Sequence, residues 1–143
     1  MIPTNAPQIG REEIEAVVKV LEAGILTTGL GTGPMVKKFE ESFGRFVRAK
    51  HAVAVNSGTA ALHMALLAAG VGRGDEVILP SFTFTATAET VMLAGAKPVF
   101  VDIEPHTYCI NPEKIRKAIT RKTKAVIPVD LYGLSAEMKI VRE

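Results

Sequence analysis

Residues 51–80 have the sequence HAVAVNSGTAALHMALLAAGVGRGDEVILP, in which the hydrophobic period changes twice. Residues 51–56 are short, apolar and β-branched, which predicts a buried strand. Residues 59–69 are apolar almost all round, which predicts a buried helix. Three glycines then lead into a second predicted strand at residues 76–79. This order of strand, helix and strand is that of a βαβ unit with parallel strands.

The same alternation continues to residue 143. The pattern predicts two more strands and three more helices, the strands at 98–101 and 125–129 and the helices at 85–93, 112–119 and 135–143. Right-handed crossovers between such strands make the sheet parallel and place helices on both of its faces. The predicted fold class is therefore α/β, a three-layer sandwich with a mainly parallel sheet.

Two amphipathic helices are predicted upstream of this region. Residues 11–22 carry apolar side chains at spacings of three and four, and Gly24 follows as a C-terminal signal. A Gly/Thr loop at 26–33 separates this helix from a second one that begins at Pro34. We expect residues 1–50 to form these N-terminal helices with a loop between them, and residues 51–143 to form the βαβ portion.

Composition narrows the class of protein. The 143 residues are 48% hydrophobic and 22% charged, which is typical of a globular domain, and the net charge of +2 gives no reason to expect nucleic acid or an anionic membrane as partner. The single cysteine, Cys109, excludes an intrachain disulfide framework and is typical of a reducing compartment. No signal-peptide core or transmembrane run is present in the sequence, so we expect a cytoplasmic protein.

The strongest candidate site is the turn between the first predicted strand and helix, Asn56-Ser57-Gly58-Thr59-Ala60. Gly58 would allow close approach of a ligand to the backbone, and the unpaired amides at the start of the helix could bind an anion. The alternative is that Ser57 or Thr59 only caps the helix. Aromatic and hydroxyl side chains follow the next strand in Ser81-Phe82-Thr83-Phe84, which suits a flat, phosphorylated ligand at the carboxyl edge.

Other phosphate, nucleophile and metal motifs fit poorly. The glycine runs at 29–33 and 70–74 lack the dinucleotide fingerprint and its position after a strand, and no P-loop or G-x-S-x-G motif occurs. His106 and Cys109 could supply at most two metal ligands, whereas closed zinc sites use four. We therefore expect no metal site.

The run from Asn56 to Gly133 resembles the DegT/DnrJ/EryC1/StrS family of aminotransferases that use pyridoxal 5′-phosphate (PLP). It has the sequence NSGTAALHMALLAAGVGRGDEVILPSFTFTATAETVMLAGAKPVFVDIEPHTYCINPEKIRKAITRKTKAVIPVDLYG. The preceding TTGLGTGPMVKKFEESFGRF resembles the N-terminal substrate-side loop and helix of the same family. The resemblance implies a fold type I large domain, a homodimer, and amino transfer from an amino acid, with glutamate as the expected donor, to a keto-sugar nucleotide.

The resemblance also implies site residues. It places the PLP phosphate on Gly58, Thr59 and Ala60, and an aromatic ring against the pyridine face at Phe84. It places Thr28 and Gly29 near the sugar substrate.

Two positions depart from the common family pattern. The sequence has Glu89 where members commonly have Asn, and Asp130 where they have His, so family roles are not transferred to them. The lysine that would bond covalently to PLP and the acid at the ring nitrogen follow the matched region in the family. None of the ten lysines here is predicted to lie at the carboxyl edge in apolar surroundings. The chain is thus expected to be the N-terminal part of a longer enzyme and to be inactive alone.

Three alternatives remain open. A sugar dehydratase of the same fold would have histidine at the position of the lysine. A non-catalytic module would bind PLP or a nucleotide without chemistry. A dinucleotide-binding domain is disfavoured by the missing glycine fingerprint.

Overall fold

A computed structural model describes residues 6–27 and 33–142 of the chain. The chain divides into two compact units, Met1–Ala54 and Val55–Glu143.

The first unit contains two helices, α1 (Arg11–Ala23) and α2 (Pro34–Phe46). Helix α1 begins where the Glu13 carboxylate accepts a hydrogen bond of 2.7 Å from the Gly10 amide, and this bond lowers the pKa of Glu13. It ends at Gly24, whose φ of 65° is left-handed and favours glycine. Both N-terminal helices therefore form where the sequence predicts them, including the start of α2 at Pro34.

Helix α2 is tied to the segment that follows it. The Glu40 carboxylate accepts a hydrogen bond of 2.8 Å from the Ala54 amide, and the rings of Phe39 and Phe43 stack with centroids 5.6 Å apart. The apolar stripes of both helices remain largely exposed within this unit, as Val17 (59% exposed) shows for α1.

The second unit is built around a parallel sheet. Its strands are β1 (Glu76–Pro80), β2 (Lys97–Val101) and β3 (Thr123–Val126), in the order β2-β1-β3. Its helices are α3 (Gly58–Ala68), α4 (Ala86–Leu93), α5 (Pro112–Ala118) and the short α6 (Met138–Val141), with a 3₁₀ turn at Leu131–Gly133.

Alternate residues of the central strand β1 belong to two different cores. Val77 packs with Leu66 of α3 and Val91 of α4. Ile78 packs with Ile115 of α5 and with Ala136. Because successive side chains of a strand point to opposite faces, helices cover the sheet on both sides. The predicted α/β sandwich with a parallel sheet is confirmed.

The strand predicted at residues 51–56 is wrong. That segment has no regular secondary structure, and Val53 is 71% exposed. A strand forms only where a neighbour pairs with its backbone, and the paired strands of the described chain are β1, β2 and β3.

Three smaller expectations also need correction. Helix α3 has only Leu66 buried, so its apolar composition does not make it a buried helix here. The last strand ends at Val126, three residues before the predicted end. The helix predicted at 135–143 is one short turn, Met138–Val141.

Glu76 links three segments at the amino edge of the sheet. Its carboxylate accepts a hydrogen bond of 2.7 Å from the Thr120 hydroxyl and lies 3.4 Å from the Lys97 ammonium group. The hydrogen bond from Thr120, followed by the bond and the positive charge of Lys97, lowers the pKa of Glu76 from its ordinary value of 4.5.

The lowered pKa of Glu76 predicts that its ionised carboxylate stabilises the folded chain and that acid removes this stabilisation. The contribution to the free energy of unfolding is fully present above pH 4.5 and is lost as the pH falls through the lower folded-state pKa. The urea concentration at the unfolding midpoint should fall in acid. We expect this fall to be smaller in Glu76→Gln than in the parent chain, and intermediate in Thr120→Val. Equal acid dependence in Glu76→Gln and the parent chain would contradict this role.

Adjacent leucines of α3 provide a matched test of the core. Leu66 is 5% exposed and Leu67 is 51% exposed. We expect Leu66→Ala to lower the free energy of unfolding by about 2–5 kcal/mol, because it leaves a cavity under the sheet. Leu67→Ala should lower the free energy of unfolding far less, and equal losses for the two variants in urea denaturation would refute the burial of Leu66.

Candidate active site

The topology brings the predicted cofactor-binding residues to one edge of the sheet. Helix α4 begins just after the carboxyl end of β1, which it follows in the chain. Helix α3 leads to the amino end of β1, so its own N-terminus lies toward the carboxyl edge. The two helices pack against each other. Two helix N-termini therefore lie on the side where parallel sheets bind ligands.

The first of these N-termini is capped by Ser57. The Ser57 hydroxyl accepts a hydrogen bond of 3.1 Å from the Ala60 amide. The capping function that the sequence left open therefore holds for Ser57. It occupies one of the amides that an anion could otherwise use.

Two backbone donors remain at this turn. Within the described part of the chain, no acceptor bonds to the amides of Gly58 or Thr59. A Cβ placed on Gly58 would meet nothing within 4 Å, so the space in front of the turn is open. Unpaired amides at the positive end of a helix dipole suit a phosphate group. The residues present therefore fit the phosphate of PLP.

Phe84 stands near the second N-terminus, two residues before α4. Its carbonyl accepts a hydrogen bond of 3.0 Å from the Thr87 amide, while its side chain is 76% exposed. It is therefore not a core aromatic residue in this unit. Its neighbour Phe82 instead contacts Tyr108, with ring centroids 5.8 Å apart. Phe84 leaves a free aromatic face for a flat ligand.

The departures from the family pattern have different surroundings. Glu89 lies exposed in the first turn of α4, where a negative charge is favourable to the helix dipole. The Asp130 carboxylate accepts a hydrogen bond of 2.9 Å from the amide of Ala136. Sequence reasoning did not foresee that bond, which gives Asp130 a definite local role after the carboxyl end of β3.

The remaining candidate positions are distributed as follows. Thr28 and Gly29 lie outside the described residues. Lys97 begins β2 at the amino edge, where it pairs with Glu76, on the side of the sheet opposite the candidate site. Among residues 6–27 and 33–142, no group of three or more His, Cys, Asp and Glu side chains could hold a metal ion. No helix in those ranges has the length and hydropathy needed to cross a bilayer.

Comparison with known proteins identifies the class. Residues 7–143 match the model of the DegT/DnrJ/EryC1/StrS aminotransferase family. The chain therefore belongs to this family, and the resemblance seen in the sequence is confirmed.

Individual relatives agree with this assignment. SpsC of Bacillus subtilis (strain 168), a spore coat polysaccharide biosynthesis protein, is 50% identical over 98% of this chain and 35% of its own length. A protein of Streptococcus pneumoniae assigned as a sugar aminotransferase, solved in its PLP form, has a TM-score of 0.91 and 38% identity over 99% of this chain and 35% of that one. NtdA of Bacillus subtilis, solved with bound cofactor PMP, has a TM-score of 0.85 and 39% identity over 94% of this chain and 31% of its own.

Two facts follow from these matches. The cofactor of the solved relatives is the predicted one, in its PLP or its PMP form. The chain spans 35% of the length of SpsC, about a third.

The open space at Gly58 predicts that stability and phosphate binding separate there. Gly58→Ala should keep or raise the melting temperature, because the added methyl group meets no atom and alanine favours a helix. The same methyl group should weaken the binding of inorganic phosphate. This binding is measured in NMR spectra by the change in the chemical shift of the Thr59 amide. Gly72→Ala, where a Cβ also meets nothing, is the control that should leave phosphate binding unchanged. Unaltered phosphate binding in Gly58→Ala would exclude close approach of phosphate at this turn.

Proposed function

We propose that this chain is the cofactor-binding part of a PLP-dependent aminotransferase. The longer enzyme would transfer an amino group from an amino acid, with glutamate as donor, to a keto-sugar nucleotide. The observation that carries the proposal is the pair of free amides at Gly58 and Thr59, at the same sheet edge as the exposed ring of Phe84. Membership of the family supports it.

The phosphate is the part of the cofactor that the described residues suit best. The amides of Gly58 and Thr59 would donate to phosphate oxygens, and the Thr59 hydroxyl would add a third donor. Ala60 lies in the same turn, but its amide already donates to the Ser57 hydroxyl. It would therefore strengthen the site mainly by holding the helix cap in place. These donors are fixed by the helix before the ligand arrives, so little conformational entropy is lost on binding.

Phe84 would hold the orientation of the ring. Stacking of its face on the pyridine would fix the plane of the heterocycle relative to the phosphate turn, and would exclude water from one side. Bound PLP would supply an electron sink for the bond changes at the amino-acid carbon. The substrate-side loop containing Thr28 and Gly29 is proposed to contribute to the sugar site.

The group that would move the proton is proposed to lie outside this chain. Lys97 pairs with Glu76 at the amino edge. Lys124 is the second residue of β3 and therefore also lies toward the amino edge. A covalent lysine and an acid for the ring nitrogen are therefore expected from the remainder of the enzyme, as the span of 35% of SpsC also suggests. The 143 residues alone should bind PLP without catalysing amino transfer.

A second candidate is a non-catalytic PLP-binding module. It is favoured by the same observation about the lysines, since binding at the phosphate turn needs none of them.

For the complete enzyme we propose a cytoplasmic homodimer. Residues 1–50 and 51–143 would together form the N-terminal portion of its large domain.

A titration with PLP and with pyridoxal tests the proposal. We expect the chain to bind PLP more tightly than pyridoxal, which lacks the phosphate, in equilibrium dialysis. Phe84→Ala should weaken both ligands, by about 2- to 12-fold from the loss of stacking alone.

Met92→Ala is the control for Phe84→Ala. Met92→Ala removes another exposed apolar side chain from the end of α4 and should change neither affinity. Equal affinities for PLP and pyridoxal would refute the phosphate site, and an unchanged affinity in Phe84→Ala would refute the stacking. Amino transfer by the 143 residues would contradict their expected inactivity.

A further inference from the structure

The segment that follows β3 is fixed at three points. The Asp130 carboxylate accepts a hydrogen bond of 2.9 Å from the Ala136 amide, and the Leu134 amide donates one of 3.0 Å to the carbonyl of Leu131. The thiol of Cys109 donates a bond of 3.4 Å to the carbonyl of Leu134. Ala136 and Cys109 are themselves buried in the core under the sheet. The loop at 130–136 is therefore anchored to the core at its far end.

Between these anchors the backbone of Tyr132 is left-handed. Its φ is 52° and its ψ is 27°, a conformation that few residues other than glycine adopt. Such a conformation costs free energy and persists only where the surroundings impose it. The bonds of Asp130 and Leu134 on either side are the described contacts that can impose it.

The ring that this backbone presents is open to solvent. Tyr132 is 87% exposed, and no hydrogen bond or ring contact joins its side chain to the rest of the described chain. It follows the carboxyl end of β3, the neighbour of β1, whose carboxyl end leads to Phe84. An exposed aromatic ring with a hydroxyl group, carried by an anchored backbone, thus lies at the edge where ligands of parallel sheets bind.

We infer that Asp130 is a positioning residue that holds Tyr132 to contact the sugar of the acceptor substrate. An aromatic face packs on the C–H groups of a pyranose, while the phenol hydroxyl bonds to sugar hydroxyls. This mixed chemistry suits a sugar better than the phosphate or the pyridine of the cofactor. The inference rests on the proposed function and adds to it a specificity-determining residue.

The two tyrosines of the chain allow a direct measurement. In protein with ¹³C-labelled tyrosine rings, Tyr132 and Tyr108 give separate NMR signals, which Tyr132→Phe assigns. Titration with UDP-glucose and dTDP-glucose should move the Tyr132 signals in a saturable way and leave those of Tyr108 unchanged. Absence of a saturable shift at Tyr132 with both ligands would overturn the inference.

Variants of Asp130 separate its hydrogen bond from its charge. Asp130→Ala removes the acceptor and should weaken binding of the sugar nucleotide about tenfold, equivalent to about 1.4 kcal/mol. Amide hydrogen exchange at Ala136 should become faster in the same variant. Asp130→Asn loses the charge but keeps an acceptor oxygen, and its affinity should stay within about threefold of the parent chain.

The outcomes also distinguish this inference from the proposed function. Equal affinities in Asp130→Ala and the parent chain, with faster exchange at Ala136, would show that the ligand does not depend on the loop and would overturn the inference. If Asp130→Ala does not fold, Cys109→Ala removes the hydrogen bond from the thiol to the Leu134 carbonyl instead. This variant should also lower the affinity for the sugar nucleotide. PLP binding, measured on the same samples, should be unaffected by Asp130→Ala. If the parent chain itself does not bind PLP, the proposed function is refuted instead.

Discussion

Burial of β1 on both of its faces is the constraint on which the second unit depends. Val77 and Ile78 are both fully buried, yet they belong to different cores because neighbouring side chains of a strand point in opposite directions. Two helices must therefore cover one face while α5 and the segment around Ala136 cover the other. A parallel central strand leaves few other arrangements, because its neighbours can only be reached through crossover connections.

The same constraint separates stability from binding. Crossovers from a parallel sheet return every strand in the same direction, so helix N-termini and loops collect at the carboxyl edge. There the structure exposes Thr59, Phe84 and Tyr132, whose groups are free for a ligand. At the opposite edge the Glu76 carboxylate is occupied by Thr120 and Lys97. The carboxylate at the amino edge is thus satisfied internally, while the carboxyl edge has free donors and two open aromatic rings.

Large apolar side chains that the sequence pattern would place in a core remain exposed in both units. Val17 and Phe39 on the N-terminal helices and Leu67 on α3 are each more than half exposed. Hydrophobic periodicity indicates which face of a helix prefers burial, but burial needs a second surface. A chain that spans 35% of SpsC is consistent with further surfaces in the complete protein, as we propose.

From β1 onward the sequence by itself determined the alternation of strands and helices, and it also determined both N-terminal helices and the helix start at Gly58, because each of these follows from signals within a few residues of each other. The parallel direction of the strands followed from the crossovers between them. It also carried the family resemblance. Only the tertiary structure decided that residues 51–56 form no strand, that Ser57 takes the Ala60 amide, and that Asp130 bonds to Ala136 beside a left-handed Tyr132. Strand pairing and loop anchors depend on which groups meet in space, which local propensity does not fix. Residue preference already offered Ser57 and Thr59 as caps, and the structure decided between them by where the helix begins.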